Sequence, residues 1–180
     1  LVKKPHKKKK RRRGRHPHRV RVRRAVQQQA WELVHPRCAK ERDLDLEEAR
    51  KMIQAGEPEL ARDELLWMLE ECPQMIAAHR LLGQMALEEQ NFRLARGHLG
   101  YAFQIGTRAL EQAGNPIPVP YRLEANRDFL EAGRDLALCL QRLGKPQLAL
   151  EVRRQLLRLD PSDPFGLRRL VRRESEEDQG

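Results

Sequence analysis

The chain has 180 residues, 39% hydrophobic, 34% charged and only 4% aromatic, which suffices for one domain with a modest core and argues against a two-domain enzyme. Thr107, Ser162 and Ser175 are its only hydroxyl-bearing aliphatic side chains, so a serine or threonine nucleophile and a magnesium-seating phosphate loop are both poor readings. The net charge of +10 hides a division: residues 1–24 hold six Lys and eight Arg with no acid, and the remainder holds 22 bases against 26 acids.

The cations of that first stretch are Lys3, Lys4, Lys7, Lys8, Lys9, Lys10, Arg11, Arg12, Arg13, Arg15, Arg19, Arg21, Arg23 and Arg24. Like charges so dense repel one another and bury almost nothing apolar, so a disordered polybasic arm is expected over 1–24. Such an arm neutralises phosphates but has no aromatic ring to stack on bases, which predicts nonspecific binding to nucleic acid or another polyanion. The run also resembles a nuclear-localisation segment; the expected location is cytoplasmic, with a nuclear one for a eukaryotic source. The chain opens on Leu1 rather than Met, which limits what its start says about targeting. No apolar run approaches a membrane span, so no membrane partner is expected.

Residues 25–41 read as a short helix and linker, with Val26, Trp31 and Val34 on one side and Pro36 as the stop. Cys38, Cys72 and Cys139 are odd in number, widely spaced and without a CxxC pair, which indicates neither a disulfide framework nor a four-thiolate zinc site and fits a reducing interior. His35 and Cys38 form an HxxC pair, but further ligands or a complete nucleophile–base set are not near them. His79 and His98, with Glu88, are a second candidate metal set; both groups are read as packing or surface residues. No cofactor, metal or catalytic residue is assigned, and the chain is read as non-enzymatic.

From Asp43 onward apolar residues recur at helical period: Leu46, Ala49, Met52 and Ile53, then Gly56 as a stop, Pro58 as a start, and Leu60, Ala61, Leu65, Met68 and Leu69 before Pro73. Strand signals are almost wholly missing, so the fold class expected is all-α. Ala61 recurs as Ala95 and Leu65 as Leu99, 34 residues on, and the spacing from Gly56 through Ala61 to Pro73 is repeated from Gly144 through Ala149 to Pro161. Units are placed at about 42–75, 76–109 and 130–163, with an insertion at about 110–129 centred on AGNPIPVPYR. Its prolines forbid a helix there and favour an extended segment, expected to pack near Gly97 and Gly100. Residues 163–171 read as a capping helix, and 174–180 as a disordered acidic tail.

The stretches LLGQMALEEQNFRLARGHLGYAF and LALCLQRLGKPQLALEVRRQLLRLDPSDP resemble tetratricopeptide repeats. The family's leucine–glycine pair falls on Leu82 and Gly83 and on Leu136 and Ala137, and its small residue opening the second helix on Ala61, Ala95 and Ala149. Unit one departs from the pattern at Glu48 and Ala49, and Asp45, His79 and Gly133 stand where a tryptophan is frequent. The resemblance covers about 42–173 and implies a short array of three helix pairs plus a cap. It further implies a concave peptide-binding face of Leu46, Arg50, Ile53, Arg80, Gln84, Leu87, Arg134, Leu138 and Gln141. Three arginines there suggest an acidic peptide or protein partner. The carboxylate clamp of chaperone-binding members is not reproduced, because Leu46 and Arg50 replace its lysine and asparagine.

The function expected is therefore a protein-interaction scaffold with a polyanion-binding arm. The alternative is a nucleic-acid or ribosome-associated protein in which the arm is the main functional element.

Overall fold

The computed structural model describes residues 19–26 and 29–177; Lys3 to Arg15, and with them most of the expected arm, lie outside that range. The fold is all-α, a short tetratricopeptide-like array of helix pairs, with a small hairpin at its edge. Helices α2 (Asp43–Gln54) and α3 (Pro58–Glu71) make the first pair, α4 (Ile76–Glu88) and α5 (Phe92–Gln112) the second, α6 (Glu124–Arg142) and α7 (Pro146–Leu159) the third. Helix α8 (Leu167–Glu177) follows α7 as the cap and runs on into the acidic stretch expected as a disordered tail.

The repeat is carried by its turns and its small residues. Ala61, Ala95 and Ala149 each stand fourth in the second helix of their pair, fully buried, where a larger side chain forces the axes apart at a cost of about 1–3 kcal/mol. Between the helices of each pair one residue takes a positive φ: Gly56 at 80°, Gln90 at 58° and Gly144 at 68°. Pro58 and Pro146 then open α3 and α7, and the Asn91 side chain accepts from the Leu94 N–H to cap α5.

Four expectations are corrected. First, the 20 residues added between units two and three are not a wholly non-helical insertion over 110–129. Helix α5 runs on to Gln112 and α6 starts at Glu124, so most of the added length is extra helix, closed by Ile105, Ala109, Leu110, Phe129 and Leu130 in the core. Second, the proline segment between them packs far from Gly97 and Gly100. Val119 N–H donates to Leu159 O at 2.7 Å and Tyr121 N–H to Asp160 Oδ2 at 2.7 Å, which pins the segment to the end of α7. A Cβ on Gly97 meets nothing within 4 Å; the close crossings are Gly83 against Leu99, Gly106 against the Phe129 ring and Gly133 against the Phe103 ring stacked on it.

Third, residues 25–41 are not a short helix and linker. Strands β1 (Arg21–Arg24) and β2 (Trp31–Val34) pair antiparallel, Arg21 opposite Val34, and only α1 (Arg37–Glu41) is helical. The end of the supposed arm is thus a strand. Its partner is held from outside: Asn126 Oδ1 accepts from Leu33 N–H at 2.9 Å, and its Nδ2 donates to Trp31 O at 3.0 Å and Pro120 O at 3.1 Å. Trp31 N–H reaches Pro118 O at 2.9 Å, so the outer edge of β2 is satisfied by α6 and the proline segment.

Fourth, Cys38 and Cys72 form a disulfide, with Cα atoms 5.7 Å apart, that ties α1 to the end of α3. The spacing argument for a reducing interior loses its premise, and Cys38 is not a free thiol beside His35. Cys139 is free and buried, its thiol pushed up by desolvation.

Candidate functional site

The first helices of the three pairs, with β2 and α1, enclose a groove of about 440 Å³. Its walls come from five places: Glu32 and His35 of β2 and its end, Ala39 and Lys40 of α1, Asp43 and Leu46 of α2, Met75 to Ala77 at the start of α4, and Glu124, Ala125 and Asp128 of α6. Its size falls in the range of roughly 300–1,000 Å³ usual for ligand clefts. His35 Nε2 lies 2.8 Å from Ala125 O, which fixes the ring against α6 as part of the wall.

Of the residues singled out by resemblance only Leu46 lines this groove, and the arginines among them are already engaged. Arg80, nine-tenths buried, places Nε 2.7 Å from Asp128 and a second nitrogen 3.0 Å from Glu131, and donates to Gln84 Oε1 at 2.9 Å. Gln84 in turn donates to Asp135 at 3.2 Å, and Arg134 pairs with the same carboxylate at 2.8 Å. Arg50 stands 3.5 Å from Glu47 and 3.8 Å from Asp128. Charge-assisted hydrogen bonds therefore link α4 to α6, and the longer Arg50–Asp128 ion pair adds α2. Leu46 is buried; Ile53 and Leu87 are half-buried against the core; Leu138 is exposed; and Gln141 accepts from Arg153. The arginines were legible as one face, but the acids that occupy them, Asp128, Glu131 and Asp135, carry no motif and lie about one and a half units downstream of Arg80.

Asp43 and Glu124 stand differently. Both are exposed in the first turns of α2 and α6, and neither has a side-chain partner among the described residues. With Glu32 and Asp128 they give the groove four carboxylates against Lys40. Arg19, Arg21, Arg23 and Arg24 of the expected phosphate-binding set are exposed at or near β1, Arg23 paired to Glu32 at 2.6 Å; the rest of that set lies outside the described residues.

His79 and His98 do meet, Nδ1 to Nδ1 at 3.3 Å, with the edge of Tyr101 against His79. Among the described residues no third acid, thiol or imidazole joins them, and Glu88 is not part of the cluster. His79 Nε2 donates to Pro73 O at 3.1 Å. Burial, opposed by the Pro73 carbonyl and helped a little by the neighbouring His98, holds His79 down at about 4. The folded protein thus keeps this imidazole neutral where the unfolded chain takes up a proton, so stability is full above about pH 6.5 and falls as the pH drops toward 4. Urea unfolding at pH 7 and pH 5 should differ by about 2 kcal/mol from this residue. His79→Gln should flatten that dependence; an unchanged slope counts against the assignment.

No protein-family model matches the chain, and no curated protein is significantly similar to it. Among solved structures, the N-terminal domain of stress-induced protein-1 (STI-1) from C. elegans aligns with a TM-score of 0.57 at 15% identity, over 77% of this chain and 98% of that domain. The likeness is one of fold. No helix among the described residues is long and apolar enough to cross a membrane.

Proposed function

We propose that the chain is a non-enzymatic scaffold that holds a protein segment in the groove between α2, α4 and α6. The observation that carries this reading is a division of labour: Arg50, Arg80 and Arg134 are spent on Asp128, Glu131 and Asp135, which ties α4 to α6 beside the groove, while Asp43 and Glu124 on its wall are left to face a ligand. A braced wall lowers the ordering cost of binding. The free charges favour a segment with lysine or arginine side chains over the acidic peptide that the three arginines suggest from sequence. Asp43→Asn combined with Glu124→Gln should weaken binding of a lysine-bearing peptide about tenfold and leave the melting temperature within a few degrees. Equal affinity in the double variant counts against the groove.

The arm adds a polyanion-binding function in the same proposal. The cations of residues 1–24, three of them on β1, supply charge but no aromatic ring to stack on bases, so binding is salt-dependent and indifferent to sequence. With about six to eight phosphates engaged on duplex DNA, log K should fall against log salt with a slope of roughly −5 to −7. Strong discrimination between two unrelated duplexes is the contrary result.

A further inference from the structure

The two edges of the hairpin are treated differently by the rest of the fold. In an antiparallel pair, residues that exchange both backbone hydrogen bonds with their opposite number alternate with residues whose N–H and C=O point away from it. Ala25 N–H donates to Ala30 O at 2.9 Å, which sets the phase: Arg23 with Glu32 and Arg21 with Val34 bond across the hairpin, whereas Val22 opposite Leu33 and Arg24 opposite Trp31 turn their backbone groups outward. The β2 side agrees, because Leu33 N–H and Trp31 N–H are the groups taken by Asn126 and Pro118.

On the β1 side this covering stops after one residue. Val20 N–H is taken by Gln74 Oε1 at 3.0 Å, but the outward N–H and C=O of Val22 and of Arg24 have no partner among the described residues. A strand edge left in this state is a template for a further strand.

The side chains specify which strand fits. Val22 is half-buried against the main core, while Arg21, Arg23 and Arg24 are exposed. Arg23 is paired to Glu32 at 2.6 Å; Arg21 and Arg24 have no side-chain partner among the described residues. A strand bonded to Val22 and Arg24 stands opposite Arg21 and Arg23 in the pairs without hydrogen bonds, where facing side chains come closest. Acids at those two places, flanking an apolar residue opposite Val22, complement the edge. A second copy would set arginine against arginine, the like-charge pairing that keeps edges apart. Phosphates neutralise the guanidinium groups but carry no donor for the carbonyls of Val22 and Arg24.

We propose that β1 is a docking edge for an extended acidic segment of another protein, added antiparallel as a third strand, with an acid–apolar–acid run set against Arg21, Val22 and Arg23. The proposal does not depend on the groove.

The test is amide exchange and titration on the full chain at neutral pH with an end-blocked peptide of sequence EVEVEVE. In the free protein the Val22 and Arg24 amides should exchange as open groups, and saturating peptide should slow both by about tenfold or more. Affinity should fall about tenfold when the valine nitrogens, which face β1, are N-methylated, and stay within about twofold when the glutamate nitrogens, which face away, are methylated instead. Arg21→Glu should weaken binding by a similar factor, and Asp43→Asn with Glu124→Gln should leave it unchanged, which separates the edge from the groove. Equal affinity for the two methylated peptides reduces the contact to charge attraction and overturns the added strand. Val22 and Arg24 amides already protected in the free chain show the edge covered by the chain itself or by a copy, and overturn it as well. Protection by duplex DNA in place of the peptide, or absence of peptide binding, does the same.

Discussion

Replacing Cys38 or Cys72 with Ser should lower the unfolding free energy by about 3–4 kcal/mol, the chain-entropy value for a cross-link spanning 34 residues. Such a loss is a large part of the total stability of a domain this size. The same loss should follow treatment of the native protein with reductant and be absent when the Cys38→Ser variant is treated, because Cys139 has no partner to lose. Urea denaturation with and without reductant makes the comparison. The effect reaches the groove, since α1 supplies Ala39 and Lys40 to its wall and is only five residues long, too short to persist without an anchor. Peptide affinity should therefore fall with the disulfide broken. Identical unfolding in the two redox states would falsify the cross-link as a structural element.

The repeat was legible because it is written in steric requirements that cannot be met in other ways. Ala61, Ala95 and Ala149 recur at the helix crossings, and positions 56, 90 and 144 recur at the left-handed turns, where Gln90 breaks the glycine pattern without breaking the conformation. What misled was the assumption of a constant unit length. The stretch TRALEQ continues the apolar period of α5 through Ile105, Ala109 and Leu110, and EANRDFL opens α6 early, so the extra residues follow the 3.6 period they were expected to interrupt.

The hairpin was hidden for a different reason. β1 reads RVRR, three arginines in four residues, and nothing local marks it as a strand. Its order comes from pairing with WELV, which Asn126 holds from 93 residues beyond Leu33, and from the Gln74 side chain, which accepts from Val20 N–H 54 residues away. Local propensity is overridden by tertiary partners in such a case. The concave face was half-legible on the same grounds: Arg50, Arg80 and Arg134 have helical spacing within their units, whereas Asp128 becomes the partner of Arg50 and Arg80 only where α6 packs against the earlier pairs.

Asn126→Leu should release the hairpin while leaving the helices folded. The side chain is fully buried and satisfies three backbone groups, Leu33 N–H, Trp31 O and Pro120 O, none of which a leucine can partner. Keeping them buried without partners costs about 1–3 kcal/mol each, more than a four-residue strand pair gains by staying docked. The strand should therefore peel away and hydrate its edge, so the loss in global stability stops at about 2–4 kcal/mol. Asn126→Asp should be as harmful despite its near-identical shape. It keeps the acceptor for Leu33 N–H but turns a carboxylate oxygen toward the Trp31 and Pro120 carbonyls. Amide exchange separates local from global opening: protection should vanish over 31–34 and persist in α4 to α7. Because β2 carries Glu32 and ends at His35 on the groove wall, peptide affinity should fall in both variants with helical circular dichroism nearly unchanged. Retained protection at Leu33 in the leucine variant is the result that removes Asn126 as the lock.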